Sequence, residues 1–160
     1  MRLLLVLLAA AFALPGQTNE SWKKLDFLLG EWIGMAGEKD TPPGPGQGAY
    51  SFEPQLQGKI IVRKNQAKYD SGVQHDDLMV IYQDAPGDPP RAIYWDTEGH
   101  VIRYHLAFPS AQRAVFESEG PGPKYRLTYW LEGGSLNGRF EVGAPGSEYK
   151  TYLSWTSKKR

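Results

Sequence analysis

The chain has 160 residues, 18 basic and 18 acidic side chains, and no cysteine. Charges of both signs spread along the sequence argue against nucleic acid and anionic membrane surfaces as partners, which call for a basic patch. Without cysteine there is neither a disulfide framework nor a site for a lipidated membrane anchor, and a chain of this length buries roughly two-thirds of its unfolded surface, enough for one domain to stand on its core alone.

Arg2 followed by an uncharged run at residues 3–14 and the small-x-small step Ala11-Phe12-Ala13 has the form of a secretory signal peptide. The run falls short of the about 20 apolar residues that span a bilayer. The expected organisation is a signal peptide at 1–16 and a single domain at 17–160, with the mature protein periplasmic or secreted. Trp22, Leu25, Leu28 and Leu29 follow at i, i+3 spacing behind a polar cap, which predicts one short N-terminal helix ending at Gly30.

Leu28-Leu29-Gly30-Glu31-Trp32-Ile33-Gly34 then turns helix into strand, the glycine supplying the sharp turn and the indole a plug for the narrow end of a small barrel. Beyond it the punctuation is Gly, Pro and Asp, and the stretches between are rich in Tyr, Trp, Ile, Val and Phe with period-two alternation. Strands are predicted near 31–37, 48–53, 58–68, 77–83, 91–97, 100–108, 113–119, 124–132, 136–142 and 149–156. The short connections imply an antiparallel up-and-down meander, and a meander of about ten strands closes to remove its edges, so the fold class is an all-β barrel. If the last strand returns beside the first, a cation of Lys158-Lys159-Arg160 can cover Trp32.

Alternation assigns faces. Tyr50 and Phe52, Phe140 and Val142, Leu153 and Trp155, and the rows His100-Ile102-Tyr104-Leu106-Phe108 and Tyr125-Leu127-Tyr129-Leu131 are predicted to point inward, and more weakly Ile93 and Trp95. Ala114 shares the inward row of Phe116, and Glu117 and Glu119 lie on the outer face. Such an interior either packs solid or, because ten strands enclose more volume than the eight that side chains just fill, holds a ligand.

Catalytic patterns are missing. No serine lies in a Gly-x-Ser-x-Gly elbow. The glycine- and proline-rich stretch at 41–48 precedes no helix that could complete a phosphate loop. His75-Asp76-Asp77 alternates across a strand or sits in a turn, so no metal site is expected.

The Leu-Leu-Gly-x-Trp-x-Gly opening resembles that of the nitrobindin-like proteins, a heme-binding branch of the calycin (lipocalin and fatty-acid-binding) barrels, and is similar to bacterial exported domains of unknown function with a lipocalin-like fold. Tyr94-Trp95-Asp96-Thr97-Glu98-Gly99-His100 looks like the aromatic-Asp-x-x-Gly hairpin of that exported group. The resemblance implies a calycin-like barrel and, for the nitrobindin branch, heme b held by a histidine close to the C-terminus and action on nitrogen oxides. The histidines here are His75, His100 and His105, so that ligand has no counterpart in the last strands, and a heme would take His100 from a different strand, axial Met or Tyr being less usual.

The expected function is an exported small-molecule-binding barrel without catalysis and without a resident cofactor, its ligand apolar or amphipathic, the protein a monomer or weak homodimer with no nucleic acid partner and no membrane anchor. The expected ligand-binding residues are Trp95, His100, Tyr104, Phe116, Tyr129 and Trp155. The alternatives are a nitrobindin-like heme protein acting on nitrogen oxides or peroxide through His100, and a filled barrel that acts through its outer surface.

Overall fold

The computed structural model describes residues 20–36 and 44–160; the expected signal peptide and residues 41–43 of the proline-rich stretch lie outside them. The described residues form ten antiparallel strands: β1 (Gly30–Ala36), β2 (Gly46–Gln55), β3 (Ile60–Tyr69), β4 (Gln74–Tyr82), β5 (Arg91–Asp96), β6 (Val101–Ser110), β7 (Arg113–Ser118), β8 (Lys124–Glu132), β9 (Ser135–Gly143) and β10 (Lys150–Lys159). Each pairs with its neighbour in sequence, and β10 pairs with β1 to close the barrel. The meander and its closure are as the turn spacing predicts. Pro109, which lacks an N–H, falls where the β6–β7 register shifts between Ala107 and Ser110.

The predicted N-terminal helix is smaller than expected. It is a single α turn, Glu20–Lys23, followed by a 3₁₀ turn, Asp26–Leu28. The Trp22, Leu25, Leu28 spacing is that of three-residue turns: the Leu25 amide donates to the Trp22 carbonyl at 3.0 Å and the Leu28 amide to the Leu25 carbonyl at 2.9 Å. These turns close one end of the barrel, where Leu25 and Leu28 are wholly buried.

The Gly-x-Trp-x-Gly opening works as a set. Gly30 adopts a φ of +118°, which side-chain-bearing residues avoid, and so brings the chain from the end plug into β1. Trp32, 3% exposed, donates its indole N–H to the Leu28 carbonyl at 2.8 Å. The register places Lys159 opposite Trp32, and its ammonium lies 5.6 Å from the ring centroid. Gly34 has no side chain because the Ser157 hydroxyl, the Trp155 ring and the Tyr50 ring occupy that space, the nearest 3.0 Å from where a Cβ would sit.

The interior divides along the barrel axis. Toward the plugged end Phe52, Ile61, Met79, Ile81, Ala92, Ala114, Phe116 and Leu136 pack with almost no exposure. Toward the other end the interior positions of β1, β2 and β3 include Gly34, Ala36, Gly46, Gly48 and Ala67 beside Asn65 and Tyr69, and this half is hollow.

Removing the Trp32 side chain strips the plug of its wall, so Trp32→Ala is expected to lower unfolding free energy by about 3 to 5 kcal/mol. Trp32→Phe, which loses mainly the bond to Leu28, is expected to lose about 0.5 to 1.5 kcal/mol. Urea unfolding of both variants checks the order; equal losses would contradict the plug.

Candidate functional site: a half-hollow barrel

The hollow half is a cavity of about 780 Å³. Its wall is apolar on the β8, β9 and β10 side, where Leu127, Phe140, Val142, Leu153 and Trp155 face inward. The Trp155 indole lies against Gly138, where a Cβ would come within 2.1 Å of the ring. On the opposite side β3 turns Arg63 and Asn65 inward, and β4 and β5 add His75, Asp77, Tyr94 and Asp96.

Arg63 organises the floor. It is 5% exposed and ion-paired with Asp77, itself buried. Burial opposes the guanidinium charge, but Asp77 keeps the group firmly protonated. The second Asp77 oxygen accepts from the Asn65 amide at 2.9 Å. The guanidinium lies 5.4 Å from the centroid of Tyr50 and 6.0 Å from that of Tyr129, ring faces that favour a cation. Arg63 Nε and the Tyr129 hydroxyl are the two buried side-chain polar atoms without a hydrogen-bond partner among the described residues. Burial pushes the phenols of Tyr94, Tyr104 and Tyr129 well above the usual range, so all three are neutral hydroxyls.

A second polar group rings the mouth. His75 Nε2 lies 3.2 Å from Asp77 and 3.0 Å from the Tyr94 hydroxyl, and Nδ1 lies 2.9 Å from Glu98. The bond to Asp77, with help from Glu98 and against partial burial, pushes the His75 pKa up to about 9, so the ring is cationic at neutral pH. Asp96 accepts the His100 amide at 2.8 Å and the His100 ring at 2.8 Å, which outweighs burial and holds this carboxyl below its ordinary value.

Of the residues expected from sequence, four form one aromatic chain: Tyr104 to Phe116 at 6.2 Å between centroids, Phe116 to Tyr129 at 6.1 Å and Tyr129 to Trp155 at 5.7 Å. Tyr104 and Trp155 line the cavity, whereas Phe116 and Tyr129 are wholly buried in the packing beneath it. His100 precedes β6 rather than starting it. Its side chain, 59% exposed, lines the cavity at the rim, at the open end of the row that holds Ile102 and Tyr104.

Trp95 stands outside the barrel, 38% exposed. The register explains the face: Met79 and Ile81, both fully buried, pair with Tyr94 and Ala92, so these point inward and Ile93 and Trp95 point out. Trp95 packs in the outer cross-strand line of Leu78, Trp95 and Val101. Arg63, Asn65, Asp77, His75 and Tyr94 are functional candidates that period-two reading of the apolar residues passes over. The signal for Arg63 is its parity with Ile61 and Tyr69 on β3.

Removing Asp77 would strand the Arg63 charge in the barrel, so Asp77→Ala is expected to destabilise by about 3 to 5 kcal/mol, whereas the charge-free pair Arg63→Met with Asp77→Leu should come within about 1 kcal/mol of wild type or exceed it. Urea unfolding of the single and double variants measures both. A double variant as weak as the single would show that the ion pair is not the determinant.

The fold has a counterpart of known structure. Rv2717c from M. tuberculosis superposes with a TM-score of 0.62 over 88% of this chain and 98% of its own, at 13% identity, a likeness of fold alone. No family model matches the sequence, and no curated protein matches it.

Proposed function

We propose that this protein is a small-molecule-binding barrel of the calycin type, exported, without catalysis, which holds a mostly apolar or amphipathic ligand in the hollow half. One observation carries the reading: the cavity of about 780 Å³ with an apolar wall on one side and a few convergent polar groups on the other. Ligand sites commonly measure roughly 300–1,000 Å³ and have this division, area for affinity and polar groups for orientation. The apolar body of the ligand lies against Leu127, Phe140, Val142, Leu153 and Trp155. Its polar end meets the hydroxyls of Tyr94 and Tyr104 and the edge of the Arg63 pair. Phe116 and Tyr129 support this floor from below, and His100 stands at the entrance.

The heme reading is less well supported by the donors present. His75 and His100, the two histidines that line the cavity, stand at its rim beside Asp96 and Glu98. Next to both histidines these carboxylates would repel the propionates of a heme. The residues do not fit the group. A barrel that acts only through its outer surface has no use for a hollow half, which forfeits packing energy.

The test is saturable uptake of a fluorescent fatty-acid analogue, 11-(dansylamino)undecanoate. Wild type is expected to take up about one equivalent, and Val142→Trp, which fills the cavity from the apolar wall, to lose uptake at least tenfold with little change in melting temperature. Absence of uptake by wild type, or uptake unchanged in Val142→Trp, would overturn the reading. A stoichiometric Soret band on hemin addition that vanishes in His100→Ala would favour the heme protein instead.

A further inference from the structure

We propose that the barrel mouth carries a binding site for a divalent transition-metal ion of the zinc type, formed by His75 Nδ1 and the carboxylates of Asp96 and Glu98. Donor atoms of these three residues lie within 4.8 Å of one another, and His75 Nδ1 is already 2.9 Å from Glu98. Metal bonds of about 2.0–2.2 Å in a tetrahedral shell require donors about 3.4 Å apart, within reach of side-chain rotations alone. The sequence neighbours Asp76 and Asp77 do not make this set. The partners of His75 come from the end of β5 and the turn after it.

The independent observation is the group behind the ring. Asp77, 3% exposed at its side chain, is ion-paired with His75 Nε2 at 3.2 Å, with the Tyr94 hydroxyl 3.0 Å from the same nitrogen, and is itself fixed by Arg63 and Asn65. A buried carboxylate on the far nitrogen is how ligating histidines are oriented, with the other nitrogen turned to the metal. Here that other nitrogen, Nδ1, faces Glu98. His100 acts as a positioning residue, its amide and ring both holding Asp96 at 2.8 Å. When the ion binds, the proton between His75 Nδ1 and Glu98 is released, and the dication takes its place beside the carboxylates of Glu98 and Asp96. Because all three ligands line the cavity, the fourth position is open to water or to an anionic end of a bound molecule.

The inference does not depend on the interior ligand, and its test uses the metal alone. Tag-free protein, stripped with chelator, is titrated with Co²⁺ for its visible d–d bands and with Zn²⁺ by calorimetry. One equivalent is expected to bind, with affinity reduced at least tenfold in both His75→Gln and Glu98→Gln and unchanged in His105→Gln, which alters the outer-face pair of His105 and Glu117. Glu98 lies in an exposed turn, so Glu98→Gln decides the matter if His75→Gln fails to fold. Wild type that binds neither ion, or binds them no better than Glu98→Gln, would overturn the site; equal loss in His105→Gln would identify adventitious surface binding and overturn it as well.

Discussion

A guanidinium buried inside a ten-stranded barrel is the constraint to which the rest of the interior answers. Arg63 is tolerable there only because Asp77 lies against it, and Asp77 in turn is held by Asn65 and His75. Two aromatic faces, Tyr50 and Tyr129, cover the charge. The exchange of apolar packing for an ion pair costs stability at that level of the barrel compared with well-packed hydrocarbon. It also gives the cavity a polar side, which a purely apolar void would lack.

The hollow half follows from where the small residues fall. The glycines of β1 and β2, with Ala36 and Ala67, remove side-chain volume from one wall, while Tyr125, Phe140 and Trp155 stand on the other. Gly34 and Gly138 lie beneath Trp155 and give its ring room. At the plugged end the same strands carry Phe52, Ile61 and Trp32, and there the interior is solid. The filled and the open barrel are therefore two ends of one molecule, and the aromatic floor of Tyr104, Phe116 and Tyr129 separates them.

The fold was legible because it rests on local signals. Gly30, the Gly-Gly pair at 133 and 134, and the Pro-Gly turns mark strand ends, and the inward rows of β6, β8 and β9 follow from plain alternation of large apolar residues. Faces failed where both parities are apolar. On β5, Ile93 and Trp95 outweigh Ala92 and Tyr94 by hydrophobicity, yet pairing with Met79 and Ile81 decides the matter, and pairing is not local. The polar half of the site was hidden for a related reason: an inward arginine contradicts the rule that charges face water, and its compensation by Asp77 comes from another strand, fourteen residues on. Likewise the partners of His75 lie across a strand pair that no sequence spacing announces.

The most direct test of a barrel hollow at one end and solid at the other is a two-dimensional amide NMR titration of the ¹⁵N-labelled protein with dodecanoate. Saturable shifts are expected at the amides of Gly48, Asn65, Tyr94, Tyr104, Leu127 and Val142 around the cavity, with Leu25, Ile81, Ala114 and Leu136 at the plugged end left in place. Shifts confined to the outer face near Leu78, Trp95 and Val101, or none at saturating dodecanoate, would contradict an interior that receives a ligand.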